Sequence, residues 1–457
     1  MRRILLAASA AFALSAPLAA QDVDRAAALR DAALTDTLAY EITEGITTEI
    51  GPRLAGTEAE QRARDWSVAK LKQLGFQNVR DEPFPLKTWV RGVERAEIVS
   101  PFPQPLILTA LGNSGATPAR GIEGEVVYFP SFADLEAAPA AAVKGKIAFV
   151  SHAMTATQDG SQYVTYGVVR RAGPTLAAQK GAAAILIRSI GTDYHRNPHA
   201  GGTNFAEGVD PIPSAALALP DAEQLERVLK RGRPVRVKLV LTPKQIGTRN
   251  SGNVIAEVPG SDPAAGIILV ACHLDSWDLG TGAFDDAAGC GIVAAAAKRI
   301  MDAGQPRRTI RVLFAGSEEV GVFGGRAYFE AHKGDAHVLA AESDFGADRI
   351  WRVDFNLPQS AAPVADRIAT ALLPLGVGRG SQVAGGGADV AAVIASGVAG
   401  IDLQQTGTRY FDYHHTPDDT LDKIDPEQLR QNVAAWTTML AVAANAPEEI
   451  GTVTPKN

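Results

Sequence analysis

Histidine and carboxylate side chains are concentrated near the middle of the chain, in the run HLDSWDLGTGAFDDAAG over residues 273–289. His273 comes directly after an apolar run, and a neutral imidazole is a good ligand for Zn²⁺. Asp275 could orient that ring through its second nitrogen. Asp285 and Asp286 open the following predicted helix, where one carboxylate could bridge two cations through its two oxygens. This spacing indicates a site for divalent metal ions.

Two later apolar runs also end in acidic residues. Glu318 and Glu319 follow the first of these runs, and adjacent side chains on an extended segment point in opposite directions. One of the two can therefore bind a metal while the other accepts a proton from water. Asp344 follows the second run, with Glu342 two residues before it. Because the carboxyl ends of neighbouring parallel strands share one rim of a sheet, we expect these groups to meet.

Near the C-terminus, His414 and His415 stand before a Thr-Pro turn in the run DYHHTPDDTLDKID. Taken singly, each candidate has an ordinary explanation, such as a helix cap or a solvated loop. The whole set is harder to explain in that way, because every member falls at a strand end or in a loop on the same expected rim. Oxygen and imidazole ligands without a thiolate are typical of a hydrolytic divalent metal site.

Apolar strands alternate with helices from residue 252 onward, and this order predicts a mixed, largely parallel α/β sheet sandwiched by helices. Residues 121–244 have a different pattern, with short strand-like runs, frequent Gly and Pro, and few long helical patterns. We therefore expect an α/β catalytic domain formed by residues 21–120 and 245–457. A mostly β insert over residues 121–244 would interrupt it.

The composition is ordinary for a soluble globular protein, with 46% hydrophobic residues in a chain of 457, a length that predicts two to three domains. The net charge of −7 argues against nucleic acid or an anionic membrane as the main partner. Two arginines, an apolar stretch and small residues predict a signal peptide over residues 1–20. No cysteine follows those small residues, so we expect export to a periplasm or beyond, without a stable membrane anchor.

The two cysteines, Cys272 and Cys290, are too few for a disulfide framework. Both lie in apolar segments with helix or strand patterns, and a zinc-thiolate site would need partners at short spacing that the sequence lacks. We therefore expect buried free thiols rather than a bridge.

These runs resemble the motifs of the zinc peptidase family that includes bacterial aminopeptidases, glutamate carboxypeptidase and carboxypeptidase Q. The resemblance covers most of the chain after residue 20 and is densest over residues 273–289, where it is closest to the carboxypeptidase Q branch. It implies a zinc exopeptidase fold, two Zn²⁺ ions per chain and a homodimer. It also implies that the insert is a protease-associated domain.

The resemblance gives the candidate residues their roles. The implied metal ligands are His273, Asp285, Glu319, Asp344 and His415. Glu318 would be the general base, Asp275 the carboxylate behind the first histidine, and Asp285 the carboxylate bridging both metals. The resemblance also implies that the Asp285–Asp286 peptide bond is cis. We expect one metal to be held by His273 and Asp344 and the other by Glu319 and His415, although the sequence does not fix this pairing. The role of His414 stays open.

The chain departs from the family pattern in one loop. Some aminopeptidases of the family have a tyrosine there, before a Ser-Asp pair, that helps to hold the developing oxyanion. This chain has AGGGAD instead, with Gly386 at its centre and Asp389 as the retained acid. A glycine-rich loop could make room for substrate or offer backbone N–H groups.

Recognition of a free chain end is the part that the sequence constrains least. Glu342 and Asp344 could attract an amine, whereas Arg379 or Arg409 could bind a carboxylate. Candidates for lining a substrate pocket are the aromatic residues near the C-terminal histidines, Tyr410, Phe411 and Tyr413.

We therefore predict a di-zinc exopeptidase of the aminopeptidase or dipeptidase type that acts on short peptides or dipeptides, with Glu318 activating the water between the metals. A carboxypeptidase acting on dipeptides is the alternative. A glutaminyl cyclase or a catalytically inactive binding scaffold on the same fold are further alternatives. The complete set of matched acidic residues disfavours both of these.

Overall fold

A computed structural model describes residues 18–453. Its helices are α1 (Leu18–Ala33), α2 (Leu38–Gly45), α3 (Glu58–Gln73), α4 (Phe132–Ala137), α5 (Ala140–Val143), α6 (Ser161–Tyr166), α7 (Val168–Gln179), α8 (Leu219–Leu229), α9 (Ala288–Asp302), α10 (Phe323–His332), α11 (Ala362–Leu372), α12 (Ala391–Ala395), α13 (Tyr410–Tyr413) and α14 (Pro426–Ala443). Its strands are β1 (Gln77–Val90), β2 (Glu94–Ser100), β3 (Gln104–Leu106), β4 (Leu108–Ala110), β5 (Ile122–Phe129), β6 (Ile147–Val150), β7 (Ala184–Arg188), β8 (Ser214–Leu217), β9 (Arg236–Leu241), β10 (Lys244–Val258), β11 (Ile267–His273), β12 (Thr309–Ala315), β13 (His337–Glu342), β14 (Ile350–Asn356), β15 (Gly378–Arg379) and β16 (Ala399–Gln405).

The first sheet has the strand order β1-β10-β12-β11-β13-β16-β14-β15. Its central strands β12, β11, β13 and β16 run parallel to one another, and antiparallel neighbours flank them. Helices α9 and α14 pack on one face, and α10 and α12 pack on the other. Because both faces are covered, the central strands consist mostly of buried apolar residues. The predicted mixed, largely parallel sheet between helices is confirmed.

Two of the covering helices show how local sequence sets the architecture. Helix α9 is rich in alanine and glycine, and these small side chains let it pack closely against β11, α2 and α14. Helix α14 begins at Pro426, and the Asp425 carboxylate accepts hydrogen bonds from the first free backbone N–H groups. The sequence pattern predicts these helices over residues 287–301 and 427–444, one residue from the observed bounds at each end.

The second sheet has the strand order β3-β2-β9-β5-β6-β7-β8-β4 and lies within residues 94–241. It includes β2, β3 and β4, which precede the predicted start of the insert at residue 121. The same region contains helices α7 and α8, although its sequence pattern suggested few long helices. Helix α7 accommodates Pro174 and Gly173 in its interior, and such residues normally signal a break. The bounds of the insert therefore stay a prediction.

The expectation of free thiols is wrong, because Cys272 and Cys290 form a disulfide with their Cα atoms 5.1 Å apart. Cys272 lies in β11, and Cys290 lies in α9, which packs on that strand. The sequence places each cysteine in an element but does not show which faces of the strand and helix turn toward each other. Their spacing therefore could not reveal the bridge.

Residues 1–17, which contain most of the predicted signal peptide, lie outside the described residues. Among residues 18–453, no helix combines the length and the apolar character that crossing a membrane would require.

Candidate metal centre

The predicted metal ligands lie at the carboxyl ends of the parallel strands of the first sheet. His273 is the last residue of β11, and it pairs in register with Ala315 at the end of β12. Glu319 follows β12, Asp344 follows β13, and His415 lies in the loop after β16. Strands β11 and β12 end at the same level, and the loops beyond them and beyond β13 and β16 converge on one place. The expectation that these groups meet on one rim is confirmed.

The distances between ligand atoms divide these residues into two groups around Asp285. His273 Nε2 lies 3.0 Å from Asp285 Oδ1 and 3.3 Å from Asp344 Oδ1. His415 Nε2 lies 3.3 Å from Asp285 Oδ2 and 2.8 Å from Glu319 Oε2. Each oxygen of Asp285 therefore faces a different histidine, which is the arrangement that a carboxylate shared by two cations requires.

Both histidines are oriented so that Nε2 points into this cluster. The Nδ1–H of His273 donates to the backbone carbonyl of Asp275 at 3.0 Å, and the Nδ1–H of His415 donates to the backbone carbonyl of Ala200 at 3.2 Å. Such hydrogen bonds fix the tautomer that leaves Nε2 free to bind a metal. The predicted partner of His273, the Asp275 carboxylate, is 3.9 Å away, so Asp275 orients the ring through its main chain instead.

Glu318 is placed differently from its neighbour. Its carboxylate lines the cavity in front of the cluster, and its backbone N–H donates to Asp275 Oδ1 at 3.0 Å. Burial, together with the charges of Asp344 and Asp389, raises the pKa of Glu318 well above its ordinary value. A carboxylate with a raised pKa, free of an ion pair within residues 18–453, suits the exchange of a proton with a substrate or a water.

The cluster has the donor set of a divalent metal site. Burial and mutual repulsion raise the pKa values of Glu319 and Asp344, so the site holds more negative charge than its two histidines balance comfortably. Within the described part of the chain, Glu319 Oε1 is buried without a hydrogen-bond partner. Cations bound among these oxygens and imidazoles would satisfy both requirements, and the residues present therefore fit zinc.

A buried arginine supports the loop between His273 and Asp285. Arg53 is completely buried and donates hydrogen bonds to the backbone carbonyls of Leu274, Thr281 and Gly282. These contacts close the loop that carries Asp285 toward the histidines. Nothing in the run Gly51-Pro52-Arg53 itself shows which loop the guanidinium reaches.

The turn after that loop is also fixed by side chains. Asp286 accepts hydrogen bonds from the backbone N–H groups of His273 and Gly289, and Asp419 accepts one from Phe284 at 2.6 Å. The Asp285–Asp286 peptide bond is cis, as the resemblance implied.

A cavity of about 280 Å³ lies between the metal-ligand cluster and residues of the second sheet's region. One wall is acidic and carries Asp285, Glu318, Glu319 and Asp344. The facing wall carries the polar and cationic side chains of Tyr163, Arg170, Arg171 and Asn204. These four residues could not be predicted from the sequence, because their position beside the metal ligands depends on how the insert packs against the catalytic domain.

Arg170 and Arg171 line the cavity, and among residues 18–453 neither has a carboxylate within 4 Å. Arg170 is only 7% exposed, and its Nε has no hydrogen-bond partner there. Its remaining nitrogens contact the Tyr163 hydroxyl, the Ala200 carbonyl and, at 3.3 Å, Nδ1 of His415. Buried charges are usually paired, so a guanidinium that faces a cavity with only neutral partners among the described residues favours an anionic ligand.

Only some of the other predicted substrate-binding residues line the cavity. Tyr410 and Phe411 line the cavity, and Phe345 extends this aromatic wall. Gly386 and Asp389 lie outside the lining. The N–H of Gly386 donates to Asp402 at 2.7 Å, while Asp389 accepts from Gly325 at 3.0 Å, so both are committed elsewhere.

Neither arginine suggested by the sequence reaches the cavity. Arg379 is exposed and paired with Asp366, and Arg409 forms two hydrogen bonds with Asp348. His414, whose role was open, lines the cavity with its ring stacked on His415. Burial and the neighbouring His415 lower the pKa of His414 well below its ordinary value.

The metal-free protein is expected to lose stability as pH rises from about 5 to 8. Burial raises the pKa values of Asp275 and Asp419 to about 7, so these groups bind protons in the folded state at pH values where the unfolded chain has released them. Although burial favours the neutral ring, Asp344 and Asp285 raise the pKa of His273, which contributes stability that is also lost as pH rises. We expect the Tm in EDTA to fall by at least about 4 °C across this range.

Thermal unfolding scans at several pH values, with EDTA and with added zinc, measure this effect. Zinc should raise the Tm most at the alkaline end, because it replaces the protons that the cluster loses. A Tm in EDTA that rises from pH 5 to pH 8 would contradict the assigned burial of these charges.

Comparisons with known proteins agree with this architecture. Residues 253–440 match the model of peptidase family M28. Carboxypeptidase Q from Bos taurus is 34% identical over 414 residues, which cover 90% of this chain and 86% of that protein. The human carboxypeptidase Q is 33% identical over the same shares of the two chains.

Solved structures give the same result. The crystal structure of a peptidase M28 precursor from Shewanella amazonensis superposes with a TM-score of 0.93 at 46% identity, covering 96% of this chain and 100% of that one. A zinc aminopeptidase from Bacillus subtilis shares the fold, with a TM-score of 0.62 at 20% identity, over 90% of this chain and 95% of that chain.

Proposed function

This chain belongs to peptidase family M28, and we propose that it is a two-zinc exopeptidase acting on dipeptides and other very short peptides. The observation that carries the proposal is the placement of Asp285, whose two oxygens face two separate groups of ligand atoms. The relatives support the chemistry, because they include carboxypeptidase Q and a zinc aminopeptidase. The complete set of ligands disfavours an inactive scaffold.

The ligand groups would hold one zinc ion between His273 and Asp344 and the other between Glu319 and His415, with Asp285 shared. When bound, a pair of zinc ions polarises the scissile carbonyl and makes an attacking water more acidic. The disulfide between Cys272 and Cys290 excludes thiolate ligation by these residues.

Glu318 performs the proton transfers in this proposal. Its carboxylate faces the cavity, where it can take a proton from the attacking water and then give that proton to the leaving amine. Its raised pKa favours the first half of this exchange, since a carboxylate with a raised pKa is a stronger base toward the proton of the water.

The cavity supports a short substrate with two charged ends. Its volume of about 280 Å³ lies just below the usual range for small-molecule pockets. The acidic wall suits a free amine. The guanidinium groups of Arg170 and Arg171 on the facing wall have no carboxylate partner in the described part of the chain, and they suit a free carboxylate. A substrate that spans both walls is a dipeptide or a slightly longer peptide. One site would then bind both chain ends, as the predicted aminopeptidase activity and the alternative carboxypeptidase activity each require for one end.

Turnover of a small panel of substrates by the zinc-loaded protein tests this function. The panel contains unblocked dipeptides, the same peptides with an N-acetyl group, and C-terminally amidated forms. We expect efficient cleavage of the unblocked peptides, weaker cleavage of both blocked forms, and none in EDTA. Cleavage that survives acetylation but not amidation would establish a carboxypeptidase. No cleavage of any member by protein with zinc bound would overturn the proposal.

Arg171→Ala tests whether this wall binds the carboxylate end of the substrate. Because Arg171 is exposed, its loss should leave the fold intact while it raises KM for unblocked dipeptides about tenfold, the size of one charge-assisted hydrogen bond. The amidated peptides are the matched control, since they lack the carboxylate and should show the same KM with both proteins. Equal effects on both substrate forms would contradict carboxylate binding at this wall.

Export is part of the proposal and depends on the predicted signal peptide over residues 1–20. The protease-associated character of the insert and the homodimer stay predictions. Mass measurement of protein recovered from the native host and sedimentation of the purified protein would test cleavage near residue 20 and dimer formation.

A further inference from the structure

The insert and the loop that carries the C-terminal histidines are joined by a series of hydrogen bonds. The backbone N–H of Thr192 donates to the carbonyl of Phe411 at 3.1 Å, and the Thr192 hydroxyl donates to Asp412 at 2.6 Å. Further along, the Asn197 side chain donates to Asp418 at 2.9 Å. We call residues 192–200 the docking segment, because its contacts extend along the whole loop from 411 to 418.

Near the end of the docking segment lies His199, a histidine that is only 1% exposed. Its Nδ1–H donates to the backbone carbonyl of His414 at 2.8 Å, and its Nε2–H donates to Asp193 Oδ1 at 2.8 Å. Both partners are acceptors, so both ring nitrogens donate, and the Asp193 carboxylate supplies the matching negative charge. The metal cluster does not include this pair. Through its Nδ1–H, His199 contacts the peptide group that immediately precedes His415.

The next residue of the docking segment holds His415 itself. The N–H of Ala200 donates to the carbonyl of His415 at 2.9 Å, and the carbonyl of Ala200 accepts the Nδ1–H of the His415 ring. His415 has a φ of 63°, a left-handed conformation that costs a residue with a side chain roughly 1 kcal/mol or more. Surrounding contacts have to maintain such a conformation, and the docking segment provides three of them.

We propose that His199, paired with Asp193, is a positioning residue that fixes His415 for the second zinc ion, so that the insert completes this metal site. The inference rests on the proposed two-zinc function. Without His199, the peptide before His415 can relax toward an ordinary conformation, which moves Nε2 away from Asp285 and Glu319. The site formed by His273 and Asp344 has no contact with the docking segment and should be unaffected.

His199→Leu tests the proposal by zinc titration of the metal-free protein against a chromophoric chelator. We expect one zinc ion to bind within about threefold of wild type and the other to bind at least about tenfold more weakly, the size typical for loss of a group that supports a ligand. Added zinc should restore most of the lost kcat, which a general loss of folding would not allow. His195→Leu is the matched control, because that ring is 67% exposed on the same segment.

His199→Leu leaves the Asp193 carboxylate buried without its partner, so a second variant, Asp193→Asn combined with His199→Leu, removes that charge and should show the same loss at one site. The proposal is overturned if both variants fold and bind two zinc ions as tightly as the wild type does. It is equally overturned if both sites weaken alike and added zinc restores no activity. A wild-type protein that binds fewer than two zinc ions would instead overturn the proposed function.

Discussion

Glu318→Gln is expected to bind two zinc ions as tightly as the wild-type protein and to lose roughly 10²–10⁴-fold in kcat. The side chain lines the cavity but contacts neither histidine of the cluster, so its amide should leave both groups of ligand atoms in place. An amide cannot accept the proton of the attacking water, and the chemical step therefore loses its base. Zinc analysis and steady-state kinetics on an unblocked dipeptide measure the two effects separately.

Glu330→Gln makes the same chemical change on the exposed face of α10, where the carboxylate pairs only with Lys333. This control should keep wild-type kcat and zinc content. If Glu318→Gln retained near wild-type kcat, the assignment of the base would be wrong. If it lost a zinc ion instead, Glu318 would be a ligand and Glu319 the candidate base.

Asp285→Asn is expected to weaken the binding of both zinc ions. The loss of affinity should exceed the roughly 100-fold that loss of a supporting hydrogen bond costs. Among residues 18–453, Asp285 is the one residue in contact with both groups. Burial alone would raise its pKa, but hydrogen bonds from His273 and His415 hold that pKa well below the ordinary value. An amide offers a neutral oxygen in place of a charged one. Activity should fall to the level seen in EDTA.

Glu319→Gln provides the comparison, because Glu319 belongs to the ligand group of His415, and its replacement should affect one zinc ion. Asp366→Asn, at an exposed aspartate paired with Arg379, controls for the chemical change alone. Zinc titration of the three variants against a competing chelator distinguishes them. Loss of only one zinc ion from Asp285→Asn would contradict a shared carboxylate.

The sequence was sufficient to predict the sheet and the residues at its rim. Apolar runs that alternate with helices specify parallel strands, and the carboxyl ends of such strands meet in space, so His273 and Glu319 could be placed near each other without coordinates. The resemblance then distinguished Glu318 from Glu319, which the alternation of side chains alone could not do.

Features that depend on packing between distant segments could not be predicted. Arg170 and Arg171 reach the cavity only because α7, which packs on β7 of the second sheet, lies next to the loop that carries His415, and the adjacent pair has no sequence signal of its own. Gly386 was a reasonable candidate for a backbone donor, but Asp402, sixteen residues later, takes its N–H. The disulfide likewise depends on which face of α9 turns toward β11.

The most direct test of the two-zinc assignment is anomalous diffraction at the zinc absorption edge from crystals of the zinc-loaded protein. We expect two peaks on either side of the Asp285 carboxylate, one beside His273 and Asp344 and the other beside Glu319 and His415. A single peak, or two peaks that Asp285 does not separate, would show that the two-zinc assignment is wrong.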